Sequence, residues 1–146
     1  MEILILNGPN LNLLGLREPE IYGHKTLDEV IGELRYKYSS QINLDHFQTN
    51  HEGVLIDKIH EFGFASDGII LNAGAYTHNS IALADAVKAV TTPVVEVHIS
   101  DIFKREKFRQ HSYLTPVVAH HIIGQGVEGY ELALKYLIKN ANKKVI

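Results

Sequence analysis

Three short, mainly apolar runs punctuate the chain: Ile3-Leu4-Ile5-Leu6, Gly68-Ile69-Ile70-Leu71-Asn72 and Val94-Val95-Glu96-Val97-His98-Ile99, the last interrupted by Glu96 and His98. The first two read as strands buried on both faces, the condition of a parallel sheet, and the third as a further strand. Between them lie longer amphipathic stretches. Thr26-Leu27-Asp28-Glu29 has capping-box spacing, and Leu27, Val30, Ile31, Leu34 and Tyr38 follow at helical intervals. Gly53 to Phe64 repeats the period through Val54, Leu55, Ile59 and Phe62. Ser80 to Val90 does so with Ile81, Ala84 and Val87 inward and Thr77 or Asn79 as cap. Ile42 to Gln48 is a more polar strand suited to a sheet edge, Val117 to Ile123 a fifth strand, and Val127 to about Asn140 a last helix. Strands alternating with such helices predict βαβ units. The expected fold is a flavodoxin-like, three-layer α/β domain with a five-stranded parallel sheet, spanning residues 1–146 as one unit.

Composition removes several classes of function. With 14 Lys+Arg against 17 Asp+Glu the formal charge is −3, which provides no basic field for nucleic acid. There is no cysteine, hence no disulfide, thiolate chemistry or Cys-ligated zinc. No apolar run approaches the ~20 residues that span a bilayer. Met1-Glu2-Ile3 lacks the basic start of a secretory signal. The expectation is a cytoplasmic protein without membrane or nucleic-acid partners.

In an open parallel sheet the ligand sits beyond the carboxyl ends of the strands. Past strand one come Asn7, Asn10, Asn12, Arg17 and Tyr22; past strand three, Asn72, Tyr76, His78 and Asn79. Strand four ends in His98, Ser100 and Asp101, with Arg105, Arg109 and His111 downstream. Such a lining suits a small, anionic, hydroxyl-rich molecule. The two connections that carry these residues, 8–25 and 100–116, are too long for simple turns and are expected to be functional.

Glu96 and His98 are two apart on a strand and so share a face. A carboxylate there fixes the imidazole tautomer and makes it a competent acid near neutral pH; the alternative is a purely structural pair. Tyr22 is a poor base unless a cation stabilises its phenolate, and Arg17 five residues earlier would serve if the loop folds as a lid. A surface tyrosine beside a solvated arginine is the competing reading. Gly124-Gln125-Gly126-Val127-Glu128-Gly129 matches G-x-G-x-x-G, but no strand with an acidic residue follows, so these read as turn and packing glycines. His120 and His121 are strand neighbours that point apart, a poor pair for one metal. His24, His46, His51 and His60 read as surface residues.

The segment Leu6-Asn7-Gly8-Pro9-Asn10-Leu11-Asn12-Leu13-Leu14-Gly15-Leu16-Arg17-Glu18-Pro19-Glu20-Ile21-Tyr22-Gly23 closely resembles the signature of type II 3-dehydroquinate dehydratases. Asn72-Ala73-Gly74-Ala75-Tyr76-Thr77-His78, Glu96-Val97-His98-Ile99-Ser100, Phe108-Arg109 and His111-Ser112-Tyr113 are similar to its other blocks. The likeness covers essentially the whole chain; Asp101, Phe103, Lys107 and Gln110 depart from the pattern. The resemblance implies a hydro-lyase of the shikimate pathway that converts 3-dehydroquinate to 3-dehydroshikimate by anti elimination through an enolate. It implies no metal or cofactor, and a homododecamer built as a tetramer of trimers.

Carried over position by position, the resemblance makes Tyr22 the base, Arg17 its lid partner, His98 the general acid, Glu96 its orienting carboxylate and Asn10 the support for the enolate. Asn72, His78 and Arg109 would bind substrate hydroxyls, the Ile99 and Ser100 amides would hold the carboxylate, and Asp85 would reach a neighbouring subunit's site. Two other readings are a dehydroquinase acting through a lysine Schiff base, for which no lysine sits at a buried strand end, and a non-catalytic module for a mononucleotide or small anion.

Overall fold

Ile3, Leu4, Ile5 and Leu6 are each no more than 1% exposed. They form the middle of β1 (Glu2–Asn7) in the computed structural model, which describes residues 1–145. The other strands are β2 (Asn43–Gln48), β3 (Gly68–Asn72), β4 (Val94–His98) and β5 (His120–Ile123). Their order is β2-β1-β3-β4-β5 and every pairing is parallel. The order reverses between β1 and β3, which opens a crevice at their carboxyl ends. Asn7 and Asn72 are partners in the register at that point.

The helices are α1 (Pro19–Tyr22), α2 (Leu27–Lys37), α3 (Glu52–Phe62), α4 (Ile81–Ala89) and α5 (Glu128–Ala141). Strand side chains alternate between faces, and the core divides accordingly. Ile3, Ile5, Ile70, Val95 and Val97 meet α2 and α5 through Val30, Ile31, Leu34, Tyr130 and Leu134. Leu4, Leu6, Ile69, Leu71 and Val94 meet α3 and α4 through Leu55, Ile59, Leu83 and Val87. The flavodoxin-like three-layer fold expected from the runs is therefore the one observed.

Local departures have local causes. The capping box at α2 is complete, with Thr26 and Glu29 each bonding the other's backbone N–H. At α4 the cap is Ser80, whose Oγ accepts from Leu83 N–H, rather than Thr77 or Asn79. Ile81 is then 60% exposed, and Leu83, Ala84, Ala86 and Val87 make the buried stripe. Val54 also faces outward, leaving Leu55 and Ile59 as the buried residues of α3. The fifth strand begins at His120, because Val117 and Val118 both bond back to the Leu114 carbonyl in a turn. Among the described residues no helix is long and apolar enough to cross a membrane.

Candidate active site at the carboxyl edge of the sheet

The long connection after β1 is held in an unusual backbone. Asn10 and Glu18 are the two non-glycine residues with positive φ among the described residues, at 68° and 39°, conformations that persist only where surrounding structure enforces them. Glu18 leads into α1, a single turn ending at Tyr22. Tyr22 packs its ring against the α2–α5 side of the core. Asn10, Arg17 and Tyr22 line one small cavity with Leu11 and Leu14. The Arg17 guanidinium lies 5.2 Å from the Tyr22 ring centre, over its face.

The cation on the Tyr22 oxygen is a different arginine. Arg105 Nη1 donates to the Tyr22 hydroxyl at 2.6 Å, from the connection after β4. Arg105 was visible in the sequence at this edge, but nothing in its spacing tied it to Tyr22. The same connection places Ser100 Oγ 3.5 Å from Arg105 Nη1. Ile21, Ile99, Ser100, Asp101 and Arg105 line an open depression of about 430 Å³, so the connection after β1 and the end of β4 face one space. The backbone N–H groups of Ile99 and Ser100 find no hydrogen-bond partner among the described residues, which leaves both available to an anion.

Glu96 and His98 do share a face, on the α3–α4 side of the sheet. Glu96 is fully buried and His98 is 5% exposed. His98 Nε2 lies 3.5 Å from Glu96 Oε2 and has no hydrogen-bond partner among the described residues. Ser112 Oγ donates to Glu96 Oε2 and Thr115 Oγ1 to Oε1, each at 2.6 Å; Thr77 Oγ1 is a further donor to Oε2 at 3.3 Å. Burial pushes the Glu96 carboxyl up, but the His98 ring and the hydroxyls of Ser112 and Thr115 outweigh it and hold it below the usual carboxylate value. Buried carboxylates survive ionised only with such partners. Sequence spacing did not identify these three hydroxyl groups as partners.

His78 stacks over His98 with ring centres 6.3 Å apart, and its Nδ1 donates to the His111 carbonyl at 2.7 Å. That bond leaves Nε2 free to accept. Burial holds His78 below the ordinary imidazole value, and the nearby His98, Arg109 and Arg105 act in the same direction. Arg109 sits 2.8 Å from Glu106 through its Nε. Asn72 is buried at the switch point with its Oδ1 accepting from Gly74 N–H. Asp85 is not brought to this site; it lies on the exposed face of α4. His46 departs from expectation: it is half-buried and bonded to Asn7 at 3.1 Å.

Among the described residues no three His, Asp or Glu side chains gather as metal ligands. Gly124 and Gly126 have positive φ of 76° and 62° and turn the chain beside Asp101 into α5, as their reading as turn glycines requires. Lys104, the lysine bordering the depression, is 84% exposed at its side chain. A cavity of about 590 Å³ opens at the other end of the strands between Asp67, Pro93, Ala119 and Tyr136. Its one carboxylate, Asp67, is occupied by the Glu2 backbone N–H.

Fold and site together define a flavodoxin-like α/β enzyme whose polar groups converge at the switch-point crevice. The chain belongs to the class II dehydroquinase family, whose model matches residues 1–138, and it is therefore placed among the hydro-lyases. It is 52% identical over 136 residues to a 3-dehydroquinate dehydratase of Bacillus pumilus (strain SAFR-032), covering 92% of each chain. It is 51% identical over 143 residues to a catabolic 3-dehydroquinase of Phaeosphaeria nodorum, covering 97% of this chain and 94% of that one. The crystal structure of a type II dehydroquinase from Butyrivibrio crossotus superposes with a TM-score of 0.90 at 45% identity, over 94% of this chain and 97% of the other.

Proposed function

We propose that this chain removes water from 3-dehydroquinate to give 3-dehydroshikimate, as a step of the shikimate pathway, by anti elimination through an enolate. Family membership and the relatives' names support the substrate. The observation that carries the mechanism is the Tyr22 hydroxyl held by Arg105, with Arg17 over the ring, at the same edge as the Glu96–His98 pair.

Tyr22, as phenolate, takes the proton on the carbon next to the ketone. The C–H electron pair becomes the enolate, which Asn10 supports. The enolate then collapses, forming the carbon–carbon double bond and breaking the bond to the departing hydroxyl. His98 protonates that hydroxyl as it leaves, so one water is released. Tyr22 then returns its proton and His98 regains one through solvent, restoring both groups. Glu96 keeps the His98 ring oriented. Tyr22 packs on the α2–α5 side of the sheet and His98 projects from the end of β4 on the other side, which supports their approach to a bound substrate from different directions. Asn72, His78 and Arg109 hold the substrate hydroxyls, and the Ile99 and Ser100 N–H groups hold its carboxylate. No metal or cofactor enters this reading.

The assembly belonging to it is a trimer repeated as a homododecamer, in which Asp85 of one copy completes a neighbour's site; the setting is cytoplasmic. The decisive experiment is to add EDTA-treated protein to 3-dehydroquinate and follow the ultraviolet absorbance of the conjugated enone. A rise that survives the chelator is expected. A flat trace from folded protein overturns the reading. Light scattering tests the assembly, and a stable monomer removes the role given to Asp85.

A further inference from the structure

Beneath the site, on the α5 side of the sheet, four side chains from β1, β2, β3 and α5 form an unbroken chain of hydrogen bonds. Asn72 Nδ2 donates to the Tyr130 hydroxyl at 3.0 Å. The Tyr130 hydroxyl donates to Asn7 Oδ1, and Asn7 Nδ2 lies 3.1 Å from His46 Nε2. The first link is Gly74 N–H donating to Asn72 Oδ1 at 3.2 Å. A backbone N–H can only donate, so the Asn72 oxygen must face Gly74 and its nitrogen must face Tyr130. Every later bond then runs the same way, and the chain closes on His46 Nε2 as an acceptor. Burial and the Arg35 guanidinium both disfavour a charged His46, with Asp28 opposing them, in keeping with an accepting nitrogen.

Tyr130 is the centre of this arrangement. It is fully buried, and its hydroxyl stands between two amides, one on β1 and one on β3, at the switch point. Its other surroundings are apolar: Ala133, Leu134 and the sheet residues Val95 and Val97 belong to the same core. A hydroxyl in such a place is costly unless both of its roles are used, and both are.

We propose that Tyr130 is a positioning residue for substrate binding, acting through Asn72. By accepting from one Nδ2 hydrogen it fixes the rotation of the Asn72 amide, so the second hydrogen is presented to the substrate in one orientation. Asn7 supports the same orientation by accepting the hydrogen bond that the tyrosine hydroxyl donates. The proposal rests on the reading of Asn72 as a substrate ligand and deepens it: recognition at that position is set by a residue that never touches the substrate.

The test is a double-mutant cycle read by KM and kcat, with Tyr130→Phe, Asn72→Ala and the double variant. Tyr130→Phe is expected to raise KM roughly tenfold with kcat changed by less than about threefold, since a buried donor loses its partner. In the Asn72→Ala background the same substitution is expected to leave KM unchanged. An equal KM effect in both backgrounds, or none in the native one, overturns the proposal while leaving the Asn72 reading intact. If Asn72→Ala alone leaves KM unaltered, the reading beneath falls and takes the proposal with it. Should Tyr130→Phe fail to fold, Asn7→Ala reports instead: it frees the tyrosine proton, and KM is expected to rise in the native background alone.

Discussion

Arg105 and Tyr22 are 83 positions apart in the chain, and Nη1 of the arginine meets the tyrosine hydroxyl at 2.6 Å. The contact ties the connection after β1 to the connection after β4, so the proposed base is oriented by two separate parts of the fold. Arg105→Ala is expected to lower kcat by about 100-fold, the scale of losing one charge-stabilising donor in a buried site. Steady-state kinetics decide this; turnover within threefold of the parent would show that Arg17 alone suffices.

Tyr22→Phe and His98→Ala are each expected to cut turnover by at least ~100-fold while circular dichroism stays that of the parent. Near-normal turnover in either variant reassigns its role. Because the two groups are proposed to act in one elimination, the double variant is expected to lose far less than the product of the single losses.

Stability at low pH is expected to depend on Glu131. Lys37 and the Tyr38 hydroxyl hold its carboxyl down at about 2 against an ordinary value of 4.5. A lowered folded-state value means that the carboxylate stabilises the fold above the unfolded value, and that this contribution is lost as pH falls from about 4.5 towards 2. Tyr38, pushed up to about 12 by burial and by Glu131, acts in the opposite range: its contribution is present below 10 and is lost as pH rises from 10 towards 12. Urea midpoints measured from pH 7 down to 3 should fall less steeply in Glu131→Gln than in the parent. Parallel slopes would mean that the α2–α5 pair is not coupled to folding.

Two glycines are expected to respond in opposite senses to alanine. At Gly8 a Cβ would stand 2.5 Å from the Ala73 carbonyl oxygen, a backbone atom with no room to yield. Gly8→Ala should lower both the thermal midpoint and kcat/KM, because the ends of β1 and β3 must separate. Gly32 is exposed in α2 with nothing within 4 Å of its Cβ position. Gly32→Ala should therefore stabilise by roughly 0.5–1 kcal/mol and leave kinetics unchanged. Equal melting of Gly8→Ala and the parent would contradict the close approach.

Much of this architecture was legible because its signals are local. The apolar runs of β1, β3 and β4 and the Thr26–Glu29 box act within a few residues, and so did the Glu96–His98 spacing. What could not be read depends on tertiary contact. Arg105 reaches Tyr22, Ser112 and Thr115 reach Glu96, and His46 reaches Asn7 only after the chain has crossed the sheet. The fifth strand was overextended because Val117 and Val118 have strand-forming side chains, whereas a turn onto Leu114 takes their N–H groups. Ile81 is apolar and in phase with Ala84, yet as the first residue after the Ser80 cap it lies outside the buried stripe that Ala84 and Val87 share with Leu83 and Ala86.

The alternation of side chains along β1, β3 and β4 has a consequence for how such an enzyme changes over time. Asn7, Asn72 and the ring of Tyr22 are supported by the α2–α5 layer, whereas Glu96 and His98 are supported by residues on the α3–α4 side. The sheet keeps the two supports apart. A substitution that reshapes one helical layer is therefore expected to act first on Asn72 and the proposed base or on the proposed acid. Compensation for a damaging change in one layer is therefore expected among neighbours in the same layer.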